Sequence, residues 1–130
     1  MHLKIITHER VVFDGNVDAI YTKGTDGEFG VLEGHVPVMA ALDVGVTRVV
    51  HGNEQRFFTT MGGIFQLKDN HALILTNTAE CGDEIDAARA KESLDRAQAR
   101  LLEAKAETDA KRAEAAVARA MVRLKAISNK

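Results

Sequence analysis

The chain has 130 residues, 45% of them apolar and 28% charged, a composition suited to one packed core with room for an appendage. Its formal net charge of −2 gives no general affinity for nucleic acid, which removes that class of partner. The single cysteine, Cys81, forms no internal disulfide, and no apolar run approaches the roughly 20 residues needed to cross a bilayer. The N-terminal MHLKIITHERVVFD carries charges where a signal peptide needs an apolar centre, so secretion is not expected.

The first part of the chain reads as short strands and turns. His2–His8 alternates, with Leu3 and Ile5 on one face. Arg10–Asp14 is a second strand, closed by the turn Asp14-Gly15-Asn16. Val17–Lys23 alternates again, and Glu28–Leu32 and Val36–Leu42 are divided by Glu33-Gly34-His35. Gly45–His51 and Gln55–Met61 flank one hairpin turn; Ile64–Lys68 and His71–Asn77 flank another at Asp69-Asn70. Short strands with a turn every eight to twelve residues predict an antiparallel sandwich or barrel. The expected core is Leu3, Ile5, Val12, Ile20, Val31, Val38, Leu42, Val46, Val49, Phe58, Ile64, Leu73 and Leu75.

Nothing here suggests catalysis. The five histidines lie at positions 2, 8, 35, 51 and 71, without metal-ligand spacing, and no phosphate-cradling G-x-x-x-x-G-K-[ST] run occurs. Met61-Gly62-Gly63 reads as a bulge or tight bend. The loop GEFGVLEGHVP, Gly27–Pro37, allows two readings: a turn-rich corner, or a contact surface carried by a rigid scaffold.

Composition breaks at Gly82. All ten glycines, the one proline and all six aromatic residues precede Asp83, while fourteen alanines follow it. The charge moves from −4 over residues 1–82 to +2 over residues 83–130. Asp83 is the expected N-cap of a helix, with acidic groups in the first turn. DAARAKESLDRAQARL (Asp86–Leu101) and DAKRAEAAVARAMVRL (Asp109–Leu124) then align without a gap, identical at eight of sixteen positions. Ala90, Leu94, Ala97 and Leu101 draw an apolar seam on one helix; Ala113, Val117, Ala120, Leu124 and Ile127 draw it on the other. A link near Ala106–Asp109 makes the pair an antiparallel hairpin.

Three arginines per copy, Arg89, Arg96 and Arg100 and then Arg112, Arg119 and Arg123, fall within roughly 40° on their helix, beside the seam. Two lines of guanidinium groups would face one groove as the hairpin closes. A salt-bridged helix surface and an anion site both fit: Glu92–Arg96 is a favourable i,i+4 pair, and Arg96–Arg100 is a like-charge pair that an anion would answer. The alanine-rich seam buries little, so closed and opened hairpins should differ by a few kcal/mol.

GEFGVLEGHVPVMAAL, MGGIFQL and EIDAARA occur in that order ahead of a helical hairpin, and with them the whole chain resembles the epsilon subunit of F-type ATP synthases. Ile85-Asp86-x-x-Arg89-Ala90 matches the family's I/L-D-x-x-R-A signature; Met61 stands where many relatives carry serine. The resemblance implies an α+β chain: an antiparallel β-sandwich of about ten strands over residues 1–84, then an α-helical hairpin over residues 85–130. It implies a non-catalytic central-stalk subunit, peripheral on the cytoplasmic face of the cell membrane, within the proton-translocating complex. The implied partners are the gamma subunit, the c-subunit ring through Glu33, Gly34 and His35, and the catalytic alpha and beta subunits when the hairpin extends and blocks hydrolysis. No covalently bound cofactor is implied.

In some bacterial relatives the folded hairpin binds ATP as a regulatory ligand, and the matching positions here are Glu80, Ile85, Asp86, Arg89, Ala90, Arg96, Arg112, Arg119 and Arg123. A Mg²⁺ requirement stays open. Asp86 and Arg89 would meet the adenine, or else form a junction salt bridge. The alternative function is a constitutive coupling subunit whose hairpin makes only protein contacts.

Overall fold

Eight strands precede two helices in the computed structural model, which describes residues 1–128; Asn129 and Lys130, the last two of the expected hairpin, lie outside it. The strands are β1 (His2–Ile6), β2 (Val11–Asn16), β3 (Ala19–Gly24), β4 (Gly27–Leu32), β5 (Val38–His51), β6 (Glu54–Lys68), β7 (His71–Leu75) and β8 (Ala79–Cys81). A 3-10 turn, Gly82–Glu84, leads to α1 (Ala87–Glu103) and α2 (Glu107–Ser128). Hydrogen bonding runs β2-β1-β7-β6-β5-β3-β4, with β8 also on β6. Every pairing is antiparallel except β1 with β7. This path folds over on itself, because Leu3 and Ile5 near one end share a core with Ile20 and Val31 at the other.

The strand number differs from the expected ten. Val36–Leu42 and Gly45–His51 are one strand, β5, and Gln55–Met61 and Ile64–Lys68 are one strand, β6. The two pair in unbroken register from Val38↔Leu67 to His51↔Glu54. What looked like a break is the place where both strands pass from one layer to the other. Before it, the half-buried Val38 packs against the core and Leu42 is buried; after it, the buried β5 residues are Gly45, Thr47 and Val49. Inward parity therefore changes from even to odd. Gly62 (φ 79°) and Gly63 (φ 127°) supply the bend in β6. Thr76 clamps it, accepting from Met61 N–H and donating to the Gly62 carbonyl.

That crossing corrects the expected core. Ile64 and Leu75 are 47% and 45% exposed, and Leu73 is half-buried; the buried residues are Phe65, Leu67, Ala72 and Ile74. A one-residue slip in alternation moves a whole strand face from core to solvent, and the bend introduces that slip. Val12, Val38 and Val46 are half-buried, while Leu3, Ile5, Ile20, Val31, Leu42, Val49 and Phe58 are buried as expected. Phe13 meets Phe58 and Phe29 meets Phe65 edge-on, each with centroids 5.5 Å apart, a favoured arrangement across a core. The polar groups enclosed with them are paired: the hydroxyls of Thr22 and Thr47 lie 2.8 Å apart, those of Thr47 and Thr60 lie 3.2 Å apart, and Thr60 donates to the Gly45 carbonyl.

The hairpin sits on this scaffold through α2, which packs across β5 and β6, while α1 packs on α2. A Cβ on Gly63 would collide with the Leu75 carbonyl, in a backbone conformation that side chains rarely adopt. Gly63→Ala should therefore lower unfolding free energy in urea by more than about 2 kcal/mol; a midpoint equal to the parent's would show that the bend tolerates a side chain.

Candidate functional site

The junction between sandwich and hairpin is built from four short steps. β8 ends at Cys81, Gly82–Glu84 makes one 3-10 turn, Ile85 is extended, and Asp86 caps α1. The cap is thus Asp86 rather than Asp83, because the 3-10 turn delays the helix by three residues. The Asp86 carboxylate accepts from the Arg89 backbone N–H at 3.1 Å, satisfying one of the orphan donors of the first turn. Gly82 allows the turn to meet the far end of α2, since a Cβ there would lie 2.7 Å from the Ala126 carbonyl oxygen. Ala126 is buried for that reason, a contact that seam spacing alone does not reveal.

α1 ends at Glu103, residues 104–106 form the link, and α2 starts at Glu107, two residues earlier than the repeat suggested. The seam closes as expected: Ala90, Ala97, Ala113 and Ala120 are buried, with Leu94, Leu101, Val117, Leu124 and Ile127 half-buried around them. Antiparallel packing brings the start of α1 beside the end of α2. A cleft of about 310 Å³ opens there, lined by Glu80, Glu84, Ile85, Asp86, Arg89, Ala90, Ser93 and Arg123.

Six of the nine nucleotide positions implied by the resemblance meet in that cleft: Glu80, Ile85, Asp86, Arg89, Ala90 and Arg123. Arg123 Nε donates to Glu80 Oε1 at 2.8 Å, each side chain about one-third exposed, so α2 is pinned to β8. Arg96 lies apart and donates to Ser93 Oγ at 3.4 Å. Arg112 and Arg119 line a different cleft of about 680 Å³ at the closed end of the hairpin, together with Arg100. Five of the six arginines therefore divide between the two ends, Arg96 lines neither cleft, and the six do not face one groove. Helix neighbours share a side, but the antiparallel turn sends the two halves of each row to opposite ends of the pair.

Sequence reasoning missed Glu84 and Ser93. Glu84 also receives Arg10 at 3.2 Å, a second tie between junction and sandwich. Both positions carry ordinary helix-start residues, and only folding brings them to the cleft.

The Glu33-Gly34-His35 loop is exposed and is tied to the N-terminus, to the turn before β7 and to its own backbone. Gly34 has φ 81°, and its N–H donates to Asn70 Oδ1 at 3.4 Å. The Met1 amino nitrogen lies 3.1 Å from Glu33 Oε1, and His35 Nδ1 donates to the Val36 carbonyl. Elsewhere on the sandwich, Met39, Ile64 and Leu75 form an exposed apolar strip across adjacent strands, with Ala41↔Ile64 and Ile64↔Leu75 directly paired. The same parity change that put Phe65 inside turned this strip outward.

A folded-over antiparallel sheet joined to an antiparallel helix pair, with an arginine-lined cleft at each end of that pair, defines a two-part scaffold of the kind found in the delta and epsilon chains of ATP synthase. Residues 1–82 match the model for the "ATP synthase, Delta/Epsilon chain, beta-sandwich domain" and residues 83–128 that for the "long alpha-helix domain". The chain is 40% identical over 124 residues to the ATP synthase epsilon chain of Desulforamulus reducens, covering 95% of this chain and 94% of that one. It is 42% identical over 127 residues to that of Symbiobacterium thermophilum, covering 97% and 91%. Among solved structures, a chain of the Euglena gracilis mitochondrial ATP synthase superposes with a TM-score of 0.81 at 24% identity, over 92% of this chain and 76% of that one, a likeness of fold. The chain belongs to the ATP synthase epsilon-chain family, a non-catalytic subunit of that complex.

The ion pair between Glu80 and Arg123 joins the two parts of the molecule, so its energy is measurable as a coupling. A double-mutant cycle with Glu80→Ala and Arg123→Ala, read by urea unfolding, should give about 0.5–1 kcal/mol at low salt and less at high salt. A coupling indistinguishable from zero would assign the docking of α2 to packing alone.

Proposed function

We propose that this chain is a central-stalk epsilon subunit of a proton-translocating F-type ATP synthase, and that its hairpin is an ATP-responsive brake on hydrolysis. The observation that carries the nucleotide reading is the junction cleft. It gathers Glu80, Ile85, Asp86, Arg89, Ala90 and Arg123 from β8, the junction, α1 and α2. A ligand filling it contacts both helices and the sandwich at once, so it stabilises the folded form and nothing else. Carboxylates at Glu80 and Asp86 suit the amino group of adenine, and Arg89, which makes no side-chain hydrogen bond or ion pair among the described residues, is available to the base. The triphosphate then points away from these carboxylates, toward arginines farther along the hairpin. Without the ligand, the hairpin opens and reaches the catalytic alpha and beta subunits.

The remaining contacts follow from the sandwich. The strip Met39–Ile64–Leu75 is an apolar surface on a rigid sheet, suited to the gamma subunit. The exposed loop Glu33-Gly34-His35 is suited to the c-subunit ring. Among the described residues no helix is long and apolar enough to cross a membrane, which accords with a peripheral position on the cytoplasmic face.

A second reading is a constitutive coupling subunit, its hairpin permanently docked. One observation favours it: Arg123 is already paired with Glu80, and Asp86 already caps α1. Calorimetric titration of the full chain with ATP separates the two. Saturable heat in the parent, weakened roughly tenfold or more by Arg89→Ala, is the expected result; heat equal to dilution alone leaves the constitutive reading. In the assembled complex, deleting residues 86–130 should raise ATP hydrolysis, and Ile64→Asp should release the subunit. Unchanged hydrolysis would remove the brake, and full retention of the variant would move the gamma contact to another face.

A further inference from the structure

The outer face of the sheet carries a row of residues unrelated to the junction cleft. Gly30 of β4, Tyr21 of β3, Arg48 of β5 and Phe57 of β6 are directly paired across four adjacent strands. A Cβ on Gly30 would lie 2.6 Å from the Tyr21 ring, so that ring rests on bare backbone. The Arg48 guanidinium lies 4.2 Å from the centroid of the same ring, a cation–π contact that holds it against the sheet. Arg48 is half-buried, yet its side chain makes no hydrogen bond or ion pair among the described residues. Its N–H donors are positioned and unanswered, which is costly for a charge drawn out of water. The last turn of α2 adds Lys125 from the other side, and with Glu28 and Val46 these residues line a groove of about 410 Å³.

We propose that this groove binds a small monocarboxylate with a flat apolar body. Two cations, Arg48 and Lys125, stand against one carboxylate, Glu28, so the lining balances a single negative charge rather than several. A guanidinium stacked on a ring keeps its edge free, and that edge matches the two oxygens of a carboxylate. Val46 and Phe57 are half-buried and form the apolar floor on which a ring system would lie. A volume of about 410 Å³ is within the range of small-molecule sites. The groove shares no lining residue with either arginine cleft of the hairpin. Because Lys125 belongs to α2 and the row belongs to the sheet, a bound carboxylate touches both parts of the molecule. The site stands whether or not a nucleotide occupies the junction.

Titration of the isotope-labelled full chain with 2-naphthoate, followed by amide NMR, tests it. Saturable shifts are expected in β3, β5, β6 and the last turn of α2, from one site per chain. The uncharged 2-naphthamide, of the same shape, should bind roughly tenfold or more weakly, since it forms no charge-assisted bond to Arg48. Arg48→Gln should weaken 2-naphthoate roughly tenfold or more, and Arg89→Ala should change it less than about twofold. Arg48 also stacks on Tyr21, so the spectrum of the free Arg48→Gln chain checks that the sheet is intact. The comparison of acid with amide is made on the parent chain and decides the matter without any substitution. The proposal is overturned by the absence of saturable shifts, by equal affinity for acid and amide, by full affinity in a folded Arg48→Gln chain, or by shifts confined to the two arginine clefts.

Discussion

The hairpin is closed, helix against helix and at its junction with the sandwich, largely through alanine. Ala90, Ala97, Ala113, Ala120 and Ala126 are the fully buried side chains of the two helices, and each methyl contributes only about 0.8 kcal/mol on burial. To this are added one partly exposed ion pair, Arg123–Glu80, and the close approach of Gly82 to the last turn of α2. The sum is a few kcal/mol. A ligand at a hundredfold excess over its dissociation constant supplies about 2.7 kcal/mol, a comparable amount. Binding energy of that size is enough to shift an element held this lightly, and falls short for one docked on leucine and phenylalanine.

The sandwich is held quite differently. Its core is continuous from Leu3 on β1 to Cys81 on β8, and it contains Phe58 and Phe65 fully buried. The bend at Gly62 and Gly63 makes this possible, because β5 and β6 then belong to both layers and tie them covalently as well as by hydrogen bonds. One consequence is a rigid platform beneath α2. Another is the outward strip of Met39, Ile64 and Leu75 on a sheet that cannot flex to hide it. The sheet is thus the firmly packed part of the molecule and the helix pair the lightly held one.

Charge follows the same division. The antiparallel turn after Glu103 folds two similar arginine rows so that each row is shared between a cleft at the junction and a cleft at the closed end. At the junction the sandwich contributes Glu80 and the linker adds Glu84 and Asp86, so the cleft there is rich in acceptors. At the closed end only the helices and the link between them contribute, and cations prevail. Two clefts of opposite balance thus arise from a repeated sequence with one kind of charged row.

The amino-acid sequence by itself determined the two-part architecture, the family signature around Ile85–Ala90, and the alanine seam. Each of these is local: a composition change at Gly82, a motif read within one turn, and a 3.6-residue period that any helix must obey. Only the tertiary structure decided which of Ile64 and Phe65 faces inward, where α1 is capped, and which arginines share a cleft. Alternation identifies two faces of a strand but not which layer lies above it, and the passage of β5 and β6 between layers reverses the answer midway. A helical row fixes direction around one axis. Its neighbours across the cleft come from residues up to forty-three positions away, as Glu80 and Arg123 are, and that distance is bridged only when the sheet and the hairpin have packed together.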